Sequence, residues 1–317
     1  MRCRRAGAEA RLGFVTTADG RVDVFETLRP HLLTVAYRLT GSFADAEDAV
    51  QDAWLRWDRT GEPVADPPAW LTTVVSRLCL DRLRSAAHRR ETYTGPWLPE
   101  PVVTHPGETD PLGAVVADEE ARFAAMVVLE RLGPAQRVAF VLHDGFGVPF
   151  GEVADVLDVT AGAARQLASR ARKLVSDAPA PTRHAGHEKL VARLLAAMAD
   201  GDLAAVVDVL HPDVTFTGDA NRHAPTAAQV IRGPDKVARF LFGLAARYGP
   251  AFHTSARLVL VNGDLGFYTP GTPAGDGFPA MAPHIVALTV RDDGVSALWD
   301  IANPEKFSAS PLRAQPQ

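Results

Sequence analysis

The chain has 317 residues, enough for two or three domains, and its 47% apolar content can fill packed cores. A formal net charge of −5 excludes a protein that coats nucleic acid indiscriminately, so any such binding must rest on local basic patches. The two cysteines, Cys3 and Cys79, can build neither a disulfide framework nor a zinc site, and no uncharged apolar run reaches membrane-spanning length. Arg2, Arg4 and Arg5 are not followed by an apolar stretch, so no signal peptide is read and a cytoplasmic, reducing setting is expected.

Residues 1–22 read as a flexible N-terminal extension. A first all-helical unit is expected over 23–92. Its first helix runs over 24–39, with Gly41 as the stop. Asp45 can cap a second helix to about 59, with Ala46, Ala49, Val50, Ala53, Trp54 and Trp57 at three-and-four spacing. Pro63, Pro67 and Pro68 then break the chain ahead of a long helix over 69–90. Residues 93–116 are rich in Pro, Gly and Thr and read as a linker. A second helical unit follows over 117–176, with helices at 117–131 and 134–143 and a helix-turn-helix to close. Residues 177–186 form a second linker.

Residues 187–307 have a different texture, and 308–317 are a short terminal tail. Helices are expected at 187–198, 203–210 and 234–248. Strands are expected at 214–217, 229–231, 252–261, 265–268, 285–291 and 295–301. Asn262-Gly263-Asp264 and Asp292-Asp293-Gly294 are hairpin turn signals. This order predicts an α+β domain, a curved antiparallel sheet shaped as a cone around a pocket.

The helix-turn-helix lies within residues 150–175. Wound at helical pitch, Ala164, Leu167, Ala168, Ala171 and Leu174 fall on one side. Arg165, Gln166, Ser169, Arg172 and Lys173 fall on the other, without an acidic residue. A helix with one buried side and one purely basic side suits the major groove and its flanking phosphates. Asp158 stands where a glycine is usual in the turn.

The helix from Asp45 is acidic outside and apolar inside, which fits a solvated face or a partner surface. The helix after Pro68 carries Arg77, Arg82, Arg84, Arg89 and Arg90 against Asp81. Arg77, Arg84 and His88 share a face with Trp70 and Thr73, as for phosphate contact with base stacking. An arginine-rich end that complements the helix dipole fits equally well. His31 and His143 read as structural. His184 and His187 fall in the second linker. His211, His223, His253 and His284 show no metal-ligand spacing. Phosphate-binding glycine loops and a nucleophile elbow are absent.

Taken in order, Asp45-Ala-Glu-Asp-Ala-Val-Gln-Asp-Ala-Trp54, Ala69-Trp-Leu-Thr-Thr-Val-Val-Ser-Arg-Leu-Cys-Leu-Asp-Arg-Leu-Arg84, Leu132-Gly-Pro-Ala-Gln-Arg-Val-Ala-Phe-Val-Leu142 and the helix-turn-helix resemble an extracytoplasmic-function sigma factor of bacterial RNA polymerase, in its regions two and four. The last part resembles a SnoaL-like domain of the nuclear-transport-factor-2-like fold. Trp97-Leu-Pro-Glu-Pro101 and Asn303-Pro-Glu-Lys-Phe307 resemble motifs of the subgroup with such an extension. The subgroup's Asp-Gly-Gly-Gly-Lys segment is replaced here by Gly218-Asp-Ala-Asn-Arg-His223. The resemblance covers about residues 23–307.

The resemblance implies two all-α DNA-binding domains followed by an α+β cone. It implies that Asp45, Glu47, Asp48, Gln51, Asp52 and Trp54 dock on core RNA polymerase. Trp70, Arg77, Arg84, His88, Arg89 and Arg90, with the loop from Asp66 to Pro68, would take the minus-ten promoter element. Thr160, Arg165, Gln166, Ser169, Arg170, Arg172 and Lys173 would read the minus-thirty-five element. Trp97, Leu98, Pro99, Glu100 and Pro101, with Asn303, Pro304, Glu305, Lys306 and Phe307, would make regulatory contacts, so the tail is expected to pack on both helical units. No enzymatic role, cofactor, metal or membrane is expected; a small-molecule ligand of the tail is left open.

Two rival readings remain at this point. One is a SnoaL-like enzyme using Asp219, His223, His253 or Asp300, which a carboxylate bonded to a histidine inside a pocket would favour. The other is a ligand-sensing helix-turn-helix regulator that needs no polymerase.

Overall fold

The computed structural model describes residues 18–61, 63–90, 93–105, 122–176 and 186–307. Helix α1 (Ala18–Thr40) starts earlier than its apolar pattern suggests. The Arg21 guanidinium extends its first turn, donating to the carbonyls of Trp57, at 3.2 Å, and Thr60, at 2.9 Å. Helix α2 (Phe43–Asp58) is capped by Ser42, not Asp45, and the Ser42 hydroxyl accepts from the Asp45 amide at 3.2 Å. Helix α3 (Pro67–Arg90) includes the two prolines expected to precede it. Proline fits a first helical turn, where its missing N–H has no partner to lose.

The linker is ordered from residue 93 to 105 and contributes a strand, β1 (Val103–Thr104). The second unit comprises α4 (Phe123–Leu129), α5 (Pro134–Phe140), a π-helical turn (Val141–Gly145), α6 (Phe150–Leu157) and α7 (Ala161–Ser176). Asp158 ends α6 in the left-handed conformation, φ 56°, ψ 52°, so aspartate takes the position a glycine would. The two helical units do not have separate cores. A single buried apolar cluster runs from Phe25 through Leu71 and Val75 to Leu142, Val153 and Ala168.

The tail opens with α8 (His187–Ala199) and α9 (Leu203–Val209), followed by β2 (Leu210–Asp219), β3 (Ile231–Arg232) and α10 (Pro234–Tyr248). A short helix, α11 (Ala251–Thr254), occupies the start of a segment expected to be strand, because Gly249 and Pro250 turn the chain there. Strands β4 (Arg257–Val261), β5 (Asp264–Thr269), β6 (His284–Arg291) and β7 (Gly294–Ile301) complete the sheet. Both hairpin turns form as read, with positive φ at Asn262 and Gly263 and at Asp292 and Asp293.

Seven strands order as β1-β4-β5-β6-β7-β2-β3. The sheet is mixed, not purely antiparallel, because β2 and β7 run parallel. The long connection between them, through β3, α10, α11, β4, β5 and β6, makes that parallel pairing possible. The two faces of the sheet have separate burial partners. Val286, Leu288 and Leu298 pack with α8, α9 and α10. Ile285, Ala287, Trp299 and Ile301 pack instead with Leu98 and Val103 of the linker and Phe123 of α4.

Candidate functional site

Helix α7 presents the basic face read from its sequence. Thr160, Arg165, Gln166, Ser169, Arg170, Arg172 and Lys173 are all exposed, while Ala164, Ala168 and Ala171 are fully buried. The Thr160 hydroxyl caps the helix by accepting from the Ala163 amide at 3.2 Å. Two of the arginines are also oriented within the protein. Arg172 Nε donates to Asp144 at 2.7 Å, and Arg165 lies 5.5 Å over the Phe150 ring.

Helix α3 is less open. Arg77 is exposed but donates to the Asp155 carbonyl of α6 at 2.8 Å, so this side chain touches the second helical unit. Trp70 is half-buried against the common core, and Arg84 is exposed beside Asp81 at 3.8 Å. The side chains of His88, Arg89 and Arg90 lie outside the described residues. On α2, Glu47, Asp48 and Gln51 are exposed, and Asp45, Asp52 and Trp54 are half-buried. Arg82 reaches across from α3 to Asp45, Asp48 and Asp52 at 3.9, 3.7 and 3.0 Å, an arginine the sequence reading gave no role. A groove of about 940 Å³, open side included, runs between α1 and α2, with Glu26, Glu47, Asp48, Gln51 and Trp54 on its walls.

The two motif segments meet. Lys306 Nζ is buried and bonds Asp219 Oδ2 at 2.6 Å and the Leu98 carbonyl, and it sits 3.5 Å over the Trp97 ring. Asp219 also accepts from the Leu98 amide at 2.7 Å and from the Tyr93 hydroxyl. Asn303 donates to that same hydroxyl at 3.0 Å. Burial, and then the Asp219 hydrogen bond and charge, push the Tyr93 phenol well above its ordinary range. Pro304 and Glu305 are exposed, and Phe307 is buried against the outer sheet face. Asp219 thus centres the segment that replaces the subgroup's glycine-rich one, a role its sequence did not suggest.

The linker then grips the first helical unit. Glu100 is 3% exposed, and its Oε2 accepts from the Phe43 amide at 2.8 Å and the Ser42 hydroxyl at 2.9 Å. A carboxylate there satisfies orphan donors and complements the positive end of α2. The Tyr37 hydroxyl donates to the Glu100 carbonyl at 2.7 Å and accepts from Asn262 of the tail at 2.8 Å. Burial pushes that phenol far above its usual range, which keeps it a donor. Pro101 is buried, and β1 pairs with β4 in the register Val103 to Val261. One segment of five residues therefore caps a helix of the first unit and delivers the edge strand of the tail.

The enzymatic candidates fare unequally. Asp219 belongs to the clamp, His223 is exposed, and the His253 side chain lies outside the described residues. Asp300 faces an apolar cavity and bonds His284 Nδ1 at 2.8 Å. His284, set aside from its sequence, is the partner; the signal that could have found it was its even spacing along β6 with Val286 and Leu288. His31 is exposed and edge-on to Phe146, and half-buried His143 stacks on Phe150. Burial pushes the Cys79 thiol up to about 12, which makes it inert. Among the described residues, no group of His, Cys, Asp and Glu could hold a metal ion, and no helix is long and apolar enough to cross a membrane.

Family models for Sigma-70 region 2, Sigma-70 region 4 and a SnoaL-like domain match residues 24–89, 122–175 and 191–299. The ECF RNA polymerase sigma factor SigJ of Mycobacterium tuberculosis (strain ATCC 25618 / H37Rv) is 66% identical over 301 residues, 93% of this chain and 96% of that protein. A probable ECF RNA polymerase sigma factor, SigI, of the same strain is 37% identical over 220 residues, 66% of this chain and 71% of that one. The crystal structure of the Mycobacterium tuberculosis extracytoplasmic function sigma factor SigJ superposes with a TM-score of 0.81 at 65% identity, covering 92% of this chain and 99% of that one. With both helical units, their linker and the tail all matched in one order, the chain belongs to the extracytoplasmic-function family of RNA polymerase sigma factors and carries a fused SnoaL-like domain.

Proposed function

We propose that this chain directs core RNA polymerase to specific promoters in the cytoplasm, and that the structure is its closed form, braced by the tail. The exposed acids of α2 dock on the polymerase, α3 takes the minus-ten element, and α7 reads the minus-thirty-five element. No bond-making step is assigned to the chain.

The observation that carries this reading is the single core shared by the two helical units. A compact body of their size is ~40 Å across. The two promoter elements are about 25 base pairs apart by name, or ~85 Å at ~3.4 Å per base pair. The closed form cannot span both. The two units must part, and Arg77 must leave the Asp155 carbonyl, before α3 and α7 engage one promoter together. The tail opposes that parting. Its sheet covers Phe123 of α4, and its partner, the linker, caps α2 through Glu100.

Labels on α2 and α7 in the full chain test this. Their separation should grow by tens of ångströms when core polymerase and promoter DNA are added. An unchanged separation in an active complex would refute the closed-form reading. Normal promoter use by a chain ending near Val175, with no change in output, would refute the tail's part in it.

A further inference from the structure

The tail holds a cavity on the inner face of the sheet. It is a slot with about 590 Å³ of empty space, its mouth included. Eleven of its fourteen lining residues are apolar, Phe216, Leu241 and Phe267 among them. The exceptions are Thr269, His284 and Asp300, which fall together because β5, β6 and β7 are neighbours. Polar atoms this few in an apolar slot orient a ligand instead of solvating it.

The polar corner is built, not incidental. His284 is 3% exposed and Asp300 is 2% exposed. Asp300 Oδ1 accepts a hydrogen bond from His284 Nδ1 at 2.8 Å, and Oδ2 accepts from the Thr226 hydroxyl at 2.6 Å. Both carboxylate oxygens are thus engaged, and the imidazole is fixed in place. His284 Nε2, on the opposite edge of the ring, is buried and has no hydrogen-bond partner among the described residues. A buried polar atom left open costs stability unless something completes it.

We propose that this slot is a binding site for a small, slender, mostly apolar molecule whose single oxygen acceptor, a carboxylate or ketone oxygen, bonds His284 Nε2. Burial alone disfavours an imidazolium here, but the charge and hydrogen bond of Asp300 outweigh it, and the net shift of His284 is upward. The upward shift moves the ring toward its doubly protonated form, in which Nε2 donates and suits an oxygen acceptor. The slot also adjoins the clamp. Asp300 is in register with Gly218, and Asp219 with Ile301, and the Asp219 carbonyl accepts from the amides of Ala302 and Asn303 at 2.8 and 3.1 Å. Occupancy at Asp300 acts on the strand position next to the one that holds Lys306 and Leu98. This last step rests on the proposed regulatory role of the tail; the binding site does not.

The test uses the full chain with hexanoate, phenylacetate and 2-heptanone as probes, followed by nitrogen-15 resonances of the histidine rings. At least one probe should bind saturably and move the Nε2 signal of His284. His284→Asn keeps a donor for Asp300 and deletes Nε2; it should weaken binding about tenfold or more, and Leu241→Phe, which narrows the slot, should do the same. The wild-type titration needs neither variant to fold. No shift in wild type up to about 10 mM probe would mean that water alone fills the slot, and would overturn the proposal. So would binding that ignores both variants. Hydrogen exchange at the Leu98 amide then separates the two claims. A change on binding supports coupling to the clamp, and no change overturns the coupling while the site stands.

Discussion

The two helical units are joined by a shared apolar core, whereas the tail is joined to them through a linker whose centre is buried charge. At the first seam, Leu71, Val75, Leu142 and Val153 belong to one cluster, and two arginines add directional bonds across it, Arg137 to the Arg38 carbonyl at 3.0 Å and Arg77 to the Asp155 carbonyl at 2.8 Å. At the second, Asp219, Lys306, Asn303 and Asn262 of the tail bond Tyr93, Leu98 and Val102 of the linker. Apolar packing has no preferred direction and can slip. A fully satisfied polar network has one geometry, and losing a single member leaves the others unpaired. The tail's joint is therefore the more directional of the two.

The contrast can be broken hardest at Asp219. Asp219→Asn leaves the Lys306 ammonium buried without a counter-charge, and should cost about 3–5 kcal/mol in urea unfolding. Adding Lys306→Met should restore much of that loss. A single-variant loss below about 1 kcal/mol would show that the clamp is not a dry network. Arg137→Met removes the bond to Glu130, 7% exposed at its side chain, and should cost about 3 kcal/mol while leaving tail and linker protected from protease. Linker cleavage in that variant would mean that the seams are not independent.

Smaller changes sharpen the picture. Glu100→Gln keeps the shape of the α2 cap and removes its charge, so about 1 kcal/mol should be lost, seen as faster exchange at the Phe43 and Ala44 amides. Arg165→Ala and Arg172→Ala alter an exposed face, so stability should move by less than about 0.5 kcal/mol. Each should still weaken promoter binding and lower its salt slope by about one, and an unchanged slope in both would show that α7 is not the reading helix.

Much of this was legible beforehand, for reasons tied to particular residues. Periodicity exposed α2, α3 and α7 because each buries a stripe, and the hairpins followed from Asn262-Gly263 and Asp292-Asp293-Gly294. Motif spacing marked both halves of the clamp. It could not show Asp219 between them, because Asp219 and Lys306 meet only once β2 and β7 pair in parallel. The Ser42 cap was hidden by acids that serve as well in a first turn. The bond from His284 to Asp300 joins neighbouring strands sixteen positions apart, and one sequence does not fix strand register. Arg77 read correctly as exposed, but its contact with α6 follows from how the two units close.

Helix α4 is apolar on two sides. Met126 and Leu129 enter the helical core, while Phe123 meets Trp299 of the sheet at 5.6 Å between ring centroids. The outer face of that sheet, with Val259, Ile285, Ala287 and Ile301, is covered by α4 and by a linker that also supplies the strand along β4. A SnoaL-like domain cut from this chain would carry a bare oily wall and an unguarded strand edge, the combination that drives proteins to aggregate. Descendants that shed the helical half would have to repaint that wall with polar residues first. The fusion is in this sense a ratchet: each apolar residue gained on the shared face makes the two genes harder to part.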